Sequence, residues 1–151
     1  MKLFKSLIFA AASFGFIASS QLAFAQETPA AAPAGVKLVD AAAVQALQGK
    51  GAVLIDTRRA SEFAEGTIKG AISVPYDPEK SAKDANFDAA QDKYDMGKLA
   101  DKNKDYVVFC NSGTCWKSFK AAVVMAKAGY KNVHWYRNGV PDWKARKLPM
   151  E

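Results

Sequence analysis

The chain is poor in the residues that build metal and disulfide frameworks. Its 151 residues include two cysteines and one histidine. Two cysteines are too few for a disulfide scaffold, and a chain of this length does not need one to hold a core. One histidine beside two close cysteines makes no zinc set, so neither a metal nor another cofactor is expected. Long runs of lysine and arginine are also missing. The 21 Lys and Arg against 15 Asp and Glu leave a formal charge of +6 without a basic stripe. That distribution makes no case for nucleic acid as a partner, although it favours small anions weakly. No internal repeat is visible.

The N-terminal segment has the layout of a secretory signal. Lys2 and Lys5 supply a basic start, Leu7 to Ile17 a short apolar stretch, and Ala23-Phe24-Ala25 a small-x-small cleavage pattern. The stretch is broken by Ser13 and Gly15 and is shorter than the roughly 20 apolar residues a membrane span needs. Residues 1–25 are therefore expected to be cut after Ala25, leaving no stable membrane anchor and a periplasmic or secreted protein. What remains has the size of one domain. Export places both cysteines in an oxidising compartment, where they can pair.

Residues 26–35 are rich in Ala and Pro and read as a flexible linker ahead of a domain over 36–151. Val36 to Val39 suits a short strand, and Asp40 an N-cap for a helix over Ala41 to Leu47 closed by Gly49. Ala52 to Asp56 is an apolar run ending in an acid, the pattern of a strand buried on both faces. A short helix over Arg59 to Ala64 and a strand over Ala71 to Val74 follow. Asp77 to Asp105 is polar, with Phe87, Tyr94, Met96 and Leu99 as scattered anchors; it suits one helix, much irregular chain and a solvated face. Tyr106 to Phe109 is a further strand, Trp116 to Lys127 a helix capped by Gly129, Asn132 to Tyr136 a final strand, and Pro141 to Ala145 a short helix. Strands alternating with helices imply an α/β domain with a mainly parallel sheet, whose sites lie beyond the carboxyl ends of its strands.

Cys110 sits at such an end, and so do Asp56 and Arg58. Both cysteines, Cys110 and Cys115, lie in one loop between a strand and a helix. Loop amides and the helix opening at Trp116 favour negative charge there, which suits a thiolate or an anionic sulfur species on Cys110. Gly113 lets the loop curl through a positive φ. Ser112, Thr114 and Ser118 offer hydroxyls, and Lys117 and Lys120 add positive charge. Asp56 and Arg58 suit an ion pair bracing the loop floor, with Arg137 as a similar brace. His134, in an apolar strand, reads as structural. Cys115 has three readings: it resolves a persulfide on Cys110, closes an intraloop disulfide, or fills space.

From Val36 to Glu151 the chain resembles the rhodanese-like family of single-domain sulfurtransferases. Leu54 to Arg58 with Glu62-Phe63, Glu65 to Ile72, Cys110 to Gly113, and Gly129 to Val133 with Arg137 to Trp143 are similar to its signatures, in order. The resemblance implies a five-stranded parallel sheet with helices on both faces. It implies that Cys110 is catalytic, taking sulfane sulfur as a persulfide in a cradle of Asn111, Ser112, Gly113, Thr114, Cys115, Trp116 and Lys117. A small sulfur-containing anion and a thiol acceptor are then the partners, with a protein redox or sulfur-relay partner for the exported chain. The loop departs from the family pattern in placing Cys115 where a basic residue often stands, and Cys-x4-Cys-Trp looks like a secreted subgroup. Thr67 and Lys69 replace a histidine and a proline of the second signature. Phosphoester-cleaving relatives need an arginine where this chain has Trp116, which excludes that chemistry. Two alternatives remain open: a thiol–disulfide redox protein using Cys110 and Cys115, and a non-catalytic binding module.

Overall fold

The computed structural model describes residues 26–151, so the expected signal segment lies outside the described residues. Five strands, β1 (Val36–Leu38), β2 (Val53–Asp56), β3 (Ala71–Ser73), β4 (Asp105–Phe109) and β5 (Asn132–Tyr136), form one sheet in the order β1-β5-β4-β2-β3. Every pairing in it is parallel. The helices are α1 (Ala41–Gly49), α2 (Ala60–Ala64), α3 (Trp116–Lys127) and α4 (Gly139–Ala145).

The central strand β4 explains the layering. Successive side chains of a strand point to opposite faces. Tyr106 and Val108 enter a core with Phe119, Ala121, Ala122 and Met125 of α3. Val107 and Phe109 enter a second core with Val44 of α1 and Val140 and Trp143 of α4. Burial on both faces is why β2 and β4 read as continuous apolar runs. Chain order reverses between β2 and β4, since β3 lies outside β2 and β5 outside β4. Ligands in open α/β sheets bind at such a reversal, beyond the strand ends. Cys110 follows β4 directly at this point.

Asp40 caps α1 as expected, its Oδ1 accepting the Ala43 N–H at 2.9 Å. That helix runs on through Gly49, and α4 begins at Gly139, before Pro141. The larger difference is in 77–105. The expected helix is a single 3-10 turn, Ala89–Gln91, and the segment is more than a solvated face. The Asp92 carboxylate is buried and accepts from Tyr76 Oη, Ser81 Oγ and the N–H groups of Lys80 and Ser81. Burial alone would raise its pKa, but these bonds outweigh it and hold the group at about 2. Lys120 is fully buried, donating to Ser81 O at 3.0 Å and pairing with Glu79 at 2.9 Å. It therefore secures this segment against α3 and supplies no charge to the cysteine loop.

Candidate active site

The loop 110–115 is held from four sides. At its start, the Cys110 carbonyl accepts the Val140 N–H of α4 at 2.9 Å. Gly139 makes that approach possible: with φ +62 it lies against the Cys110 carbonyl, and a Cβ there would overlap the oxygen and sit 2.8 Å from the carbon. From the β2 side, Thr57 donates its N–H and Oγ1 to the Phe109 carbonyl, at 3.1 and 2.8 Å. From α2, Glu62 Oε1 accepts the Asn111 Nδ2 at 2.7 Å while Oε2 accepts the Arg59 N–H. That bond from Asn111 lowers the Glu62 pKa against the opposing effect of burial, helped by the Arg59 N–H and the charges of Arg58 and Lys117.

The fourth support is the segment expected as a linker. Residues 26–35 form no helix or strand, yet Thr28 is buried and donates both its N–H and Oγ1 to Gly113 O at 2.7 Å. Trp116 Nε1 donates to Gln26 O at 2.8 Å. Arg137 bonds Thr28 O, Thr28 Oγ1 and Glu27, which ties the strap to the end of β5. Arg137 is thus a brace, acting on the strap and against Gly113. Gly113 does not adopt a positive φ. Its missing side chain matters for space, because a Cβ would lie 2.7 Å from the Arg137 guanidinium.

Cys110 and Cys115 form a disulfide, with Cα atoms 6.2 Å apart. Cys110 is 1% exposed, whereas Cys115 is half-buried and stands at the N-cap of α3. A helix N-terminus carries partial positive charge and N–H groups without intrahelical partners. Two loop N–H groups are used internally in this state: Cys115 donates to Ser112 O at 3.0 Å and Thr114 to Ser112 Oγ at 3.3 Å. The Ser112 and Thr114 hydroxyls also bond each other. Lys117 Nζ is buried 3.8 Å from Asp77 Oδ1, and its charge acts on Glu62, which holds Asn111 of the loop. Ser118 is turned into the core, where its Oγ accepts from Trp135.

Asp56 and Arg58 pair as expected, at 2.6 Å and deeply buried. Their further bonds run elsewhere than the cysteine loop: Arg58 donates to Gly66 O and Thr67 Oγ1 to Asp56. The pair braces the turn before β3, and Thr57 between them makes the contact with β4. His134 bonds Asp105 at 2.9 Å on the sheet and takes no part in the loop. Sequence reasoning did not single out Thr28, Thr57 or Gly139 as site supports, and took Glu62 only as part of a signature. Thr57, Gly139 and Glu62 had a local signal, each lying within a quoted motif, whereas Thr28 had none.

A thiol at the end of a central parallel strand, facing a helix N-terminus, fits anionic sulfur chemistry. Residues 40–146 match the family described as Rhodanese-like domain. The chain belongs to the rhodanese-like family. Its curated similarity is to "Putative thiosulfate sulfurtransferase, mitochondrial" of Schizosaccharomyces pombe, 30% identical over 94 residues. The match covers 62% of this chain and 64% of that protein, just under two thirds of its length. Among solved structures, a Bacillus halodurans protein superposes with a TM-score of 0.58 at 24% identity, covering 76% of each chain. A Lactobacillus plantarum protein is 26% identical, with a TM-score of 0.56 over 76% of this chain and 87% of that one. Thiosulfate sulfurtransferase from Pseudomonas aeruginosa is 26% identical, with a TM-score of 0.54. That match covers 77% of this rhodanese-like chain and 20% of the Pseudomonas protein.

Proposed function

We propose that the protein is an exported sulfurtransferase of the secreted Cys-x4-Cys-Trp kind, carrying sulfane sulfur as a persulfide on Cys110. The observation that carries this reading is the position of Cys110, at the end of β4 where the sheet order reverses and the α3 N-terminus begins. Residues 1–25, with the layout of a signal, support export to the periplasm or medium.

The cycle starts from the reduced loop. The Cys110 thiolate attacks the sulfane sulfur of thiosulfate or a similar anion, and sulfite leaves with the electron pair of the broken S–S bond. The resulting Cys110 persulfide anion is stabilised by loop N–H groups from Asn111 to Trp116 and by the helix dipole. A thiol or other thiophilic acceptor then takes the outer sulfur. Intact-mass measurement of Cys115→Ser and Cys110→Ser proteins after exposure to sulfane donors tests this. Cys115→Ser gains one sulfur atom and Cys110→Ser gains none; absence of the adduct with every sulfane donor tried would overturn the reading.

The disulfide favours a second reading, a thiol–disulfide exchange protein. Thiol counting on protein extracted without reduction tests it, since two free thiols would argue against that role.

A further inference from the structure

The loop places a second sulfur where the carrier chemistry does not require one. We propose that Cys115 is a resolving thiol that attacks the inner sulfur of a Cys110 persulfide, closes the Cys110–Cys115 disulfide and releases hydrosulfide. This inference rests on the reading of Cys110 as the sulfur carrier. It changes the product: sulfane sulfur leaves as hydrosulfide rather than being handed to an external acceptor.

Three observations support it. First, the two sulfurs are bonded in the folded protein, so Cys115 reaches the Cys110 sulfur within the native loop. A tethered nucleophile already in contact outcompetes one that must diffuse in. Second, in the disulfide state Cys110 is 1% exposed while Cys115 is half-buried, so an external thiol meets Cys115 first and regenerates the Cys110 thiolate. Third, Cys115 is the N-cap of the twelve-residue α3, whose positive end favours its thiolate.

The steps balance. The Cys110 thiolate and thiosulfate give a Cys110 persulfide anion and sulfite. The Cys115 thiol and that persulfide give the disulfide and hydrosulfide: the two protein sulfurs are oxidised and the sulfane sulfur is reduced, with the thiol proton leaving on the hydrosulfide. An external dithiol then restores the loop. It attacks Cys115, the more accessible sulfur of the pair, and Cys110 leaves as the thiolate needed for the next donor. The dithiol becomes a disulfide. Overall, one thiosulfate and one dithiol yield sulfite, hydrosulfide, a disulfide and a proton.

The test is a single turnover. Full-length mature protein is reduced, freed of reductant without air, and mixed with thiosulfate; sulfite, hydrosulfide and intact mass are followed. Wild type is expected to release one sulfite and one hydrosulfide per chain and to finish as the disulfide, with turnover resuming only when dithiol is added. Cys115→Ser is expected to release sulfite, retain the persulfide and lose hydrosulfide release. Serine is a favoured N-cap, so this variant keeps the start of α3. A persulfide as stable in reduced wild type as in Cys115→Ser overturns the inference and leaves the carrier reading standing, and this arm needs no comparison of folding. Equal hydrosulfide release from both proteins overturns it too. Failure of both to release sulfite removes the carrier reading and this inference with it.

Discussion

Replacing Gly139 by alanine should damage the site through the backbone alone, and Gly129 provides a matched control. Both glycines adopt positive φ, +62 and +90. At Gly129, just after α3, a Cβ would meet nothing within 4 Å, so Gly129→Ala bears only the left-handed penalty, about 1–2 kcal/mol. At Gly139 the same penalty applies, but the Cβ also overlaps the Cys110 carbonyl and lies 3.1 Å from the Asn111 carbonyl carbon. These atoms are main chain on both sides, so no rotamer change relieves them. Forced overpacking adds about 1–3 kcal/mol. Lengthening the Val140 N–H bond to Cys110 O adds about 1 kcal/mol. Gly139→Ala should therefore cost about 3–6 kcal/mol, a large share of the roughly 5–15 kcal/mol that holds a domain together. Urea unfolding of both variants at matched redox state measures this, with unchanged m-values licensing the comparison. Single-turnover sulfite release adds a functional reading, slowed in Gly139→Ala and near normal in Gly129→Ala under conditions where both are folded. Equal destabilisation of the two variants, to within about 0.5 kcal/mol, would refute the close-packing argument, since additive backbone effects agree to about that margin.

Lys120→Met should cost about 3 kcal/mol in chemical denaturation, because it strands Glu79 and Ser81 O without their buried cation. Adding Glu79→Gln should recover part of that loss, and no recovery would argue against the pair. The depressed Asp92 pKa predicts acid sensitivity. A carboxylate held at about 2, against about 3.9 unfolded, stabilises the fold by about 2–3 kcal/mol at neutral pH, a contribution lost as pH falls from about 5 through 2. The pH dependence of stability in Asp92→Asn should flatten across that window, and an unchanged slope would refute the assignment. Arg137→Met removes the bonds to Glu27 and Thr28 and should cost about 1–2 kcal/mol. Hydrogen exchange at the Thr28 N–H should accelerate in that variant; unchanged protection would mean that Gly113 O and Trp116 hold the strap without Arg137.

The elements legible in advance were those whose physics is local. β2 and β4 announce themselves because a strand covered on both faces has no polar side, and α3 because its apolar residues recur at helical spacing. Asp40 signals its helix because its carboxylate needs only the N–H three residues on. The strap was read as a linker because Ala and Pro carry no helical or strand pattern, while its anchors lie far away in the chain, at Gly113, Trp116 and Arg137. The 77–105 segment failed for a similar reason. Asp92 reads as a surface charge, and Lys120 of α3 as a charge for the cysteine loop, until the fold supplies Tyr76, Ser81 and Glu79. Gly113 was expected to curl the loop through a positive φ, which it does not adopt; its missing side chain makes room for Arg137 instead, a contact that no local inference supplies.

By itself the sequence determined the α/β alternation, the family, and the place of both cysteines in one loop after a buried strand. These follow from periodicity, chain order and short motifs, all of which act over a few residues. The tertiary structure alone decided what surrounds that loop. It joined Cys110 to Cys115, set Gly139 beneath the Cys110 carbonyl, laid Thr28 on Gly113, and turned Asp56 and Arg58 toward Gly66 and Thr67. Except for the cysteine bond, these contacts depend on how sheet, helices and strap meet in space. A buried donor, acceptor or charge is satisfied by whichever group the fold brings near it, whatever its distance along the chain.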